Sequence, residues 1–275
     1  MPAFLISISA RADTTYNDGG IHNISTIMQP GKVHLDNRTT VNILPGGSIT
    51  GGFEQWAYGI ESYFSSVNVS GGSVKGGTVV GEFGWAEGIY ASHGEINIYS
   101  GSVTGGTLPS IDAGWAHGIT ATNSTINIFG GSVTGGIGQY PEGYAEGISS
   151  GYSTINVFGG NIAGIGVSSG TLNINGGSID DDITILDSIV NIYGGDINNS
   201  IHVYDRSSVN IYGSGFNYAL GLINDASGVL TGTLADGTLL NLPFNQDSRS
   251  QIVIIPEPAT LILFAIGGIA LRKRL

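Results

Sequence analysis

The sequence predicts an all-β protein: a right-handed parallel β-helix with three strands in each coil, a C-terminal β cap and a short apolar helix at the end. Two repeats predict this architecture. An aliphatic-Asn-aliphatic triplet recurs through most of the chain, and an isoleucine precedes most copies by a constant interval. The chain also contains 46 glycines, too many for a helical protein, and they separate the apolar segments where a solenoid turns.

The triplet forms one strand of each predicted coil. Alternation along a strand buries the two aliphatic side chains and exposes the asparagine between them. Asparagines or aromatic rings on neighbouring coils are expected to stack as ladders, and the alternative is that the rings form a platform for sugars. The asparagines are Asn42, Asn68, Asn97, Asn127, Asn156, Asn173, Asn191 and Asn210, and the aromatic residues after them are Tyr99, Phe129, Phe158, Tyr193 and Tyr212.

Two further strands complete each predicted coil. A short apolar segment follows most triplets after a glycine corner, and another strand precedes the triplet. A single coil cannot bury its apolar face alone, whereas coils stacked at about 4.8 Å can. Another three-sided β-solenoid is the alternative architecture. The preceding strand begins at an isoleucine eight residues before six of the asparagines, at Ile60, Ile89, Ile119, Ile148, Ile165 and Ile183.

The repeat also divides the chain into segments. Beyond the repeat, short strands with a turn at Asp236 predict a cap that covers the edge of the last coil. The first residues resemble the second half of a signal peptide, because an apolar run precedes a small-x-small cleavage pattern. The predicted segments are 1–12 (partial signal peptide), 13–212 (β-helix), 213–244 (β cap), 245–255 (polar linker over 245–251, then a strand) and 256–275 (sorting signal).

The composition excludes several classes of function. The 275 residues include no cysteine, so disulfides, thiolate metal sites and a cysteine nucleophile are excluded. The formal net charge is −12, and residues 13–255 contain five basic and twenty acidic side chains. Nucleic acid is therefore not an expected partner, since its phosphates need basic side chains. An acidic surface favours solubility or divalent cations instead.

Four successive coils carry an insertion at the same corner, over residues 51–59, 76–88, 105–118 and 135–147. Insertions at one point of a solenoid project from one side and often form its working surface. They place aromatic residues in register, and a second set of residues lies two positions later. The aromatic residues are Trp56, Trp85, Trp115 and Tyr144, and the second set is Tyr58, Glu87, His117 and Glu146.

These insertions allow three interpretations. The first is an aromatic cover over the corner, and the second is a surface that binds carbohydrate or an ion. The third is a glycoside hydrolase that uses Glu87, Asp112, His117 and Glu146, because carboxyls two coils apart, about 10 Å, approach the ~6.5–9.5 Å of inverting enzymes. The insertions contain no Lys or Arg, which argues against a lyase that must neutralise a uronate.

A cluster of acidic residues predicts a weaker, calcium-binding alternative. Asp180, Asp181 and Asp182 are adjacent, and Asp196 follows about one coil later. Calcium takes six to eight oxygen ligands, and three adjacent aspartates supply several. A solvated surface is the other interpretation. No other cofactor is expected.

The chain ends in PEPATLILFAIGGIALRKRL, residues 256–275. Its apolar stretch begins after Pro258 and is shorter than the about 20 residues that span a bilayer. Arg272, Lys273 and Arg274 follow, and such basic clusters stay on the cytoplasmic side. An ordinary tail anchor is one interpretation. The motif Pro256-Glu257-Pro258, the apolar segment and the basic end together resemble the PEP-CTERM sorting signal.

That resemblance implies where the protein goes. PEP-CTERM proteins of Gram-negative bacteria are exported, held transiently in the inner membrane by the tail, and cut near the Pro-Glu-Pro motif by the membrane protease exosortase. The cell surface or extracellular matrix, with its exopolysaccharide and biofilm, is the implied destination. The sequence therefore predicts a non-enzymatic exported protein with a rigid acidic β-helix, and the alternatives are a polysaccharide hydrolase and a calcium-dependent surface adhesion module.

Overall fold

The computed structural model describes residues 13–28, 30–81, 83–108, 114–137 and 145–257. These residues form strands and turns, and none of them is helical. Accordingly, no helix in this part of the chain has the length and apolarity to cross a membrane. The predicted partial signal peptide at 1–12 and the predicted apolar helix after Pro258 lie outside the described residues.

The described residues contain 29 short strands, which follow one another along the chain. In chain order they are β1 (Thr14–Tyr16), β2 (Ile21–Ile24), β3 (Val33–Leu35), β4 (Thr40–Ile43), β5 (Ser48–Thr50), β6 (Phe53–Glu54), β7 (Ile60–Tyr63), β8 (Ser66–Lys75), β9 (Thr78–Val79), β10 (Gly84–Trp85), β11 (Ile89–Ser92), β12 (Glu95–Thr104), β13 (Gly114–Trp115), β14 (Ile119–Thr122), β15 (Thr125–Ile128), β16 (Ser132–Thr134), β17 (Ile148–Gly151), β18 (Thr154–Val157), β19 (Asn161–Ile162), β20 (Ile165–Ser168), β21 (Thr171–Ile179), β22 (Ile183–Leu186), β23 (Ile189–Ile197), β24 (Ile201–Tyr204), β25 (Ser208–Ser214), β26 (Gly221–Ile223), β27 (Ser227–Leu234), β28 (Leu239–Gln246) and β29 (Gln251–Pro256).

The strands stack in parallel on three sides of a coil, which confirms the predicted parallel β-helix. Sheet one contains the strands whose first residue lies in register with the repeated isoleucine: β1, β3, β7, β11, β14, β17, β20, β22 and β24. Sheet two contains the asparagine triplets: β2, β4, β15, β18, β25 and the first halves of β8, β12, β21 and β23. Sheet three contains β5, β16, β19 and the second halves of β8, β12, β21 and β23.

The core runs along the axis of the solenoid as columns of aliphatic side chains. In sheet two, Val67, Ile96, Ile126 and Ile155 lie in register on successive coils, and none of them is exposed to solvent. Each such side chain stabilises the fold by about 1.5–3 kcal/mol relative to an exposed one. Buried and exposed side chains alternate along each strand, and every coil repeats this alternation at the same positions. The buried side chains of successive coils therefore form one continuous core.

The outer face of sheet two carries an uninterrupted asparagine ladder. From Asn42 to Asn210, the side-chain Nδ2 of each asparagine donates a hydrogen bond to Oδ1 of the asparagine one coil earlier, over 2.7–3.0 Å. The ladder begins at Asn23, which lies one coil before the first predicted triplet. Beside it, Tyr99 and Phe158 stack on the two faces of Phe129, at 5.1 and 5.2 Å between ring centroids. These ladders link adjacent coils outside the core.

Beyond the first coil, the corners between sheets one and two place residues other than glycine in the left-handed region. Six coils place one residue there in the left-handed region, with φ of 46–57°, at Phe64, His93, Asn123, Tyr152, Ser169 and Asp187. Two coils use consecutive pairs, Asn37-Arg38 and Asp205-Arg206, with φ of 54–66°. The extra residue explains why Val33 and Ile201 lie nine residues before their asparagines, rather than eight.

The C-terminal end folds back to close the solenoid. β27 and β28 form an antiparallel hairpin, and the end of β28 pairs in parallel with β24. β29 pairs in parallel with β25 and antiparallel with β26. The linker predicted over residues 245–251 is therefore not a free segment: it contains the end of β28, a turn and the start of β29. Pro256 is the last paired residue, opposite Gly213.

Candidate functional site

The four predicted insertions build a side lobe on the solenoid, defined here as the described parts of residues 51–59, 76–88, 105–118 and 135–147. Two short parallel ladders run through it. β6 pairs with β9, and single bridges continue this ladder to Thr107 and Ile137. β10 pairs with β13, and a bridge adds Trp56. The side lobe has its own small core, formed by Ala57, Val79, Ala86, Leu108 and Ala116.

Glycine pairs allow the chain to pass between the solenoid and the side lobe. The second glycine of each pair donates its backbone N–H to an alanine carbonyl across this neck: Gly77 to Ala57 (2.6 Å), Gly106 to Ala86 (2.5 Å) and Gly136 to Ala116 (2.5 Å). A Cβ atom at any of these glycines would lie within 2.1 Å of a backbone carbonyl oxygen. The neck therefore has no space for a side chain.

The tryptophans of the side lobe are in register but do not stack face to face. Trp56 meets Trp85 edge-on, at 4.6 Å between centroids and 80° between planes, and Trp85 meets Trp115 at 5.6 Å and 61°. Trp56 and Trp115 are 44% and 42% exposed. Their rings therefore present aromatic surface to solvent as well as covering the lobe. Tyr144, predicted as the fourth member, lies outside the described residues.

The residues two positions after the tryptophans face a crease between the side lobe and sheet one. Tyr58, Glu87 and His117 are all buried, at 5%, 2% and 5% exposure. Oε1 of Glu87 accepts a hydrogen bond from the hydroxyl of Thr120 at 2.7 Å, while Oε2 is buried without a described partner. Burial raises the pKa of Glu87 to about 8, so the carboxyl is largely protonated at neutral pH.

His117 and Glu146 occupy the next two coils of the crease. Nδ1 of His117 accepts the backbone N–H of Glu146 at 3.1 Å, and burial lowers the pKa of His117 to about 4. Burial also raises the pKa of Glu146 to about 7, and Asp181 adds to the rise, although a hydrogen bond with Ser149 opposes it. At neutral pH, His117 is therefore uncharged and Glu87 is largely protonated, while Glu146 is about half ionised. Asp112, the other candidate catalytic residue, lies outside the described residues.

Two depressions open in the crease, on adjacent coils. The smaller one, of about 230 Å³, is lined by Trp115, His117 and Glu146 together with the outer face of sheet one. Gly166 provides space there, because a Cβ atom would lie 2.5 Å from Oε2 of Glu146. The larger one, of about 340 Å³, is lined by Lys32, Glu54, Trp56, Tyr58, Glu61, Tyr63, Trp85 and Tyr90. Trp85 and Trp115, neighbours on β10 and β13, connect the two.

The larger depression contains a polar cluster that the sequence reasoning missed. Oε2 of Glu61 accepts from Nζ of Lys32 at 2.7 Å and contacts Nδ1 of His34 at 3.1 Å, and Oε1 accepts from the hydroxyl of Tyr63 at 3.1 Å. Burial alone would raise the pKa of Glu61, but these hydrogen bonds outweigh it and hold the pKa below its ordinary value. The site therefore contains a fixed carboxylate paired with one of the chain's few cations.

The predicted calcium residues do not converge on one point. Asp180 accepts hydrogen bonds from Ser178 and Asn198, while Asp181 accepts from Asn199, one coil away. Asp182 accepts the backbone N–H of Ser200. Asp196 lies on β23 opposite Ser178. The carboxylates of Asp180, Asp181 and Asp182 thus link adjacent coils. Among the described residues, no group of three His, Asp or Glu side chains is arranged to hold a metal ion.

We expect Glu87→Gln to raise the melting temperature at pH 8 and to change it little at pH 5. Because the pKa of Glu87 is raised to about 8, the folded protein keeps a proton that the unfolded chain releases. Stability therefore falls as pH rises from about 5 to about 8, by at most about 1.4 kcal/mol per pH unit. Glutamine does not ionise, so the substitution removes this contribution to the pH dependence of stability. The contribution of Glu146 remains in both chains. Circular-dichroism melts across this range measure the difference.

The matched control for this variant is Glu95→Gln, since Glu95 is exposed on the outer face of sheet two. As a substitution on the surface, it should change the melting temperature little at either pH. Identical pH slopes for the Glu87→Gln variant and the unmodified chain would show that Glu87 is not held protonated.

The structure and the tail together define the class of protein. The body is a parallel β-helix with an aromatic side lobe. Residues 255–274 match the family model of the PEP-CTERM protein-sorting motif. The chain thus ends in a PEP-CTERM sorting motif, which indicates an exported protein that is processed at the membrane. No curated protein and no solved structure matches the chain significantly.

The sorting motif begins where the body ends. The match starts at Ile255, inside β29, and Pro256 is still paired with sheet two. Glu257 follows directly, while Pro258, Arg272, Lys273 and Arg274 lie outside the described residues. The folded body and the sorting motif are therefore contiguous, without a spacer.

Proposed function

We propose that this protein is a non-enzymatic component of the cell surface or extracellular matrix of a Gram-negative bacterium, where its side lobe contacts exopolysaccharide, as in a biofilm. The observation that carries the proposal is the crease, where three successive coils each place a tryptophan, two of them exposed, beside polar side chains of sheet one. Aromatic faces suit the apolar faces of sugar rings, and a rigid solenoid repeats them at a regular spacing.

The burial of the candidate catalytic residues supports a binding role over hydrolysis. A glycoside hydrolase needs two carboxyl groups that flank the bound glycosidic bond. Glu87 is only 2% exposed and its carboxyl is bonded to Thr120. Among the described candidates, this leaves Glu146 as the carboxyl that reaches a depression.

A glycan array and a reducing-sugar assay on the full chain test this proposal. We expect binding to one or more polysaccharides without release of reducing ends, and weaker binding by Trp115→Ala. The Glu95→Gln variant, changed on the outer face of sheet two, should bind like the unmodified chain. Turnover that disappears in Glu87→Gln or Glu146→Gln would replace the proposal with the hydrolase. A melting temperature lowered by a chelator would favour the calcium-dependent module.

A further inference from the structure

We propose that the larger depression of the crease is a subsite for a single uncharged pyranose ring of a polysaccharide. This inference rests on the proposed function and assigns one site and one class of sugar to it. Its lining residues come from three coils: Lys32 from the second, Trp85 and Tyr90 from the fourth, and the other five, Glu54, Trp56, Tyr58, Glu61 and Tyr63, from the third.

The polar side chains of the larger depression, Glu61 and Lys32, can bind two adjacent hydroxyl groups of a sugar ring. Glu61 is fixed by Lys32, His34 and Tyr63, so its oxygens lie at defined positions before any ligand binds. A carboxylate oxygen accepts more than one hydrogen bond, and an ammonium group has three N–H donors. One sugar hydroxyl can therefore donate to Glu61 while its neighbour accepts from Lys32. Charge-assisted bonds of this kind are about twice as strong as neutral ones.

The aromatic wall suits the C–H face of the same ring. The rings of Tyr58 and Tyr90 lie nearly parallel, 5.2 Å apart, and Tyr63 meets Tyr90 edge-on at 6.0 Å. Tyr58 is buried, so Trp56, Trp85 and the half-buried Tyr90 offer the accessible surface. These contacts hold the rings rigidly, which lowers the entropy lost on binding.

The charges around the depression favour a neutral sugar. Among the described lining residues, Lys32 is the one Lys or Arg and it is paired with Glu61, and the whole chain has a formal net charge of −12. A uronate or sulfated sugar would approach this negative field without an unpaired cation to receive it. The volume of about 340 Å³ lies at the lower end of the ~300–1,000 Å³ typical of ligand sites, in keeping with one ring of a longer polymer.

The test measures binding of the full chain, in mild detergent, to dextran, a galactomannan and a mixed-linkage β-glucan as neutral polymers and to alginate as a uronate polymer. We expect at least one neutral polymer to bind more tightly than alginate in affinity electrophoresis and calorimetry. Glu61→Gln should weaken that binding about tenfold or more, because it loses a charge-assisted acceptor. Glu95→Gln, which changes an exposed carboxylate elsewhere, should leave the binding unchanged.

A second variant distinguishes a loss of the binding site from a loss of the fold. Tyr63→Phe keeps the ring and removes only the hydroxyl that holds Oε1 of Glu61, so it should melt like the unmodified chain and still bind several-fold more weakly. Full binding by both folded variants, with binding lost in Trp115→Ala, would overturn the subsite and retain the proposed function. Tighter binding to alginate than to the neutral polymers would overturn the assignment of the subsite to an uncharged sugar. No binding by the folded, unmodified chain would overturn both proposals.

Discussion

A chain truncated after Ser250 is expected to aggregate and to melt at a lower temperature, whereas a chain truncated after Glu257 keeps its stability. The first truncation removes β29, which pairs with β25 and β26 and buries Ile252 and Ile254 completely. Burial of the two isoleucines contributes about 3–6 kcal/mol. Its loss also leaves the last strand of sheet two as an open edge, which can pair with other chains.

Thermal melts and size-exclusion chromatography of the two truncated chains measure this effect. The chain that ends at Glu257 is the matched control, because it lacks the same tail but keeps β29. Equal melting temperatures and equal elution as a single species would show that β29 is dispensable. If the prediction holds, a processing cut upstream of Pro256 would damage the body of the protein, and a cut after Glu257 would leave it closed.

Gly106→Ala is expected to destabilise the protein by about 3 kcal/mol or more, the upper part of the range for overpacked sites. A Cβ atom there would lie 1.9 Å from the carbonyl oxygen of Gly77 and 2.9 Å from Cβ of Ala86. The nearest obstacle is backbone of the neighbouring coil, which cannot move without breaking the parallel pairing. Urea unfolding measures the loss, and polysaccharide binding should weaken with it because the neck positions the side lobe.

The control for this substitution is Gly151→Ala. Gly151 lies in β17, and a Cβ atom added there meets no atom within 4 Å. It should change the free energy of unfolding by only a few tenths of a kcal/mol, as surface substitutions usually do. Equal urea midpoints for the two variants would contradict the role assigned to the neck.

The candidate site was less predictable than the fold because burial is a property of the assembled lobe. The sequence placed Glu87 and His117 in register on neighbouring insertions, where a hydrolase site shared with Asp112 and Glu146 was one interpretation. The structure instead encloses both between two cores. The sequence did contain a signal for that burial. An alanine directly precedes each of the three buried residues, and these alanines, Ala57, Ala86 and Ala116, pack inside the lobe.

The Lys32–Glu61 cluster was missed for a different reason. Glu61 and Tyr90 each follow the repeated isoleucine of sheet one, so extending that alignment by one residue places both in one column. His34 belongs to the same column, but its coil has an extra corner residue and a nine-residue interval. An alignment based on the constant interval of eight residues therefore did not place His34, or Lys32 beside it, in this column.

The sequence by itself determined the repeat, the three strands of each coil, the acidic cysteine-free composition and the sorting signal. Each of these depends on spacing or composition along the chain. In a solenoid, residues at a regular spacing in the sequence occupy equivalent positions on successive coils. Only the tertiary structure decided that the insertions form a second core, that the last strand closes the body at Pro256, and that Lys32 meets Glu61. Those contacts depend on how irregular segments pack against neighbouring coils, and no period in the sequence encodes that packing.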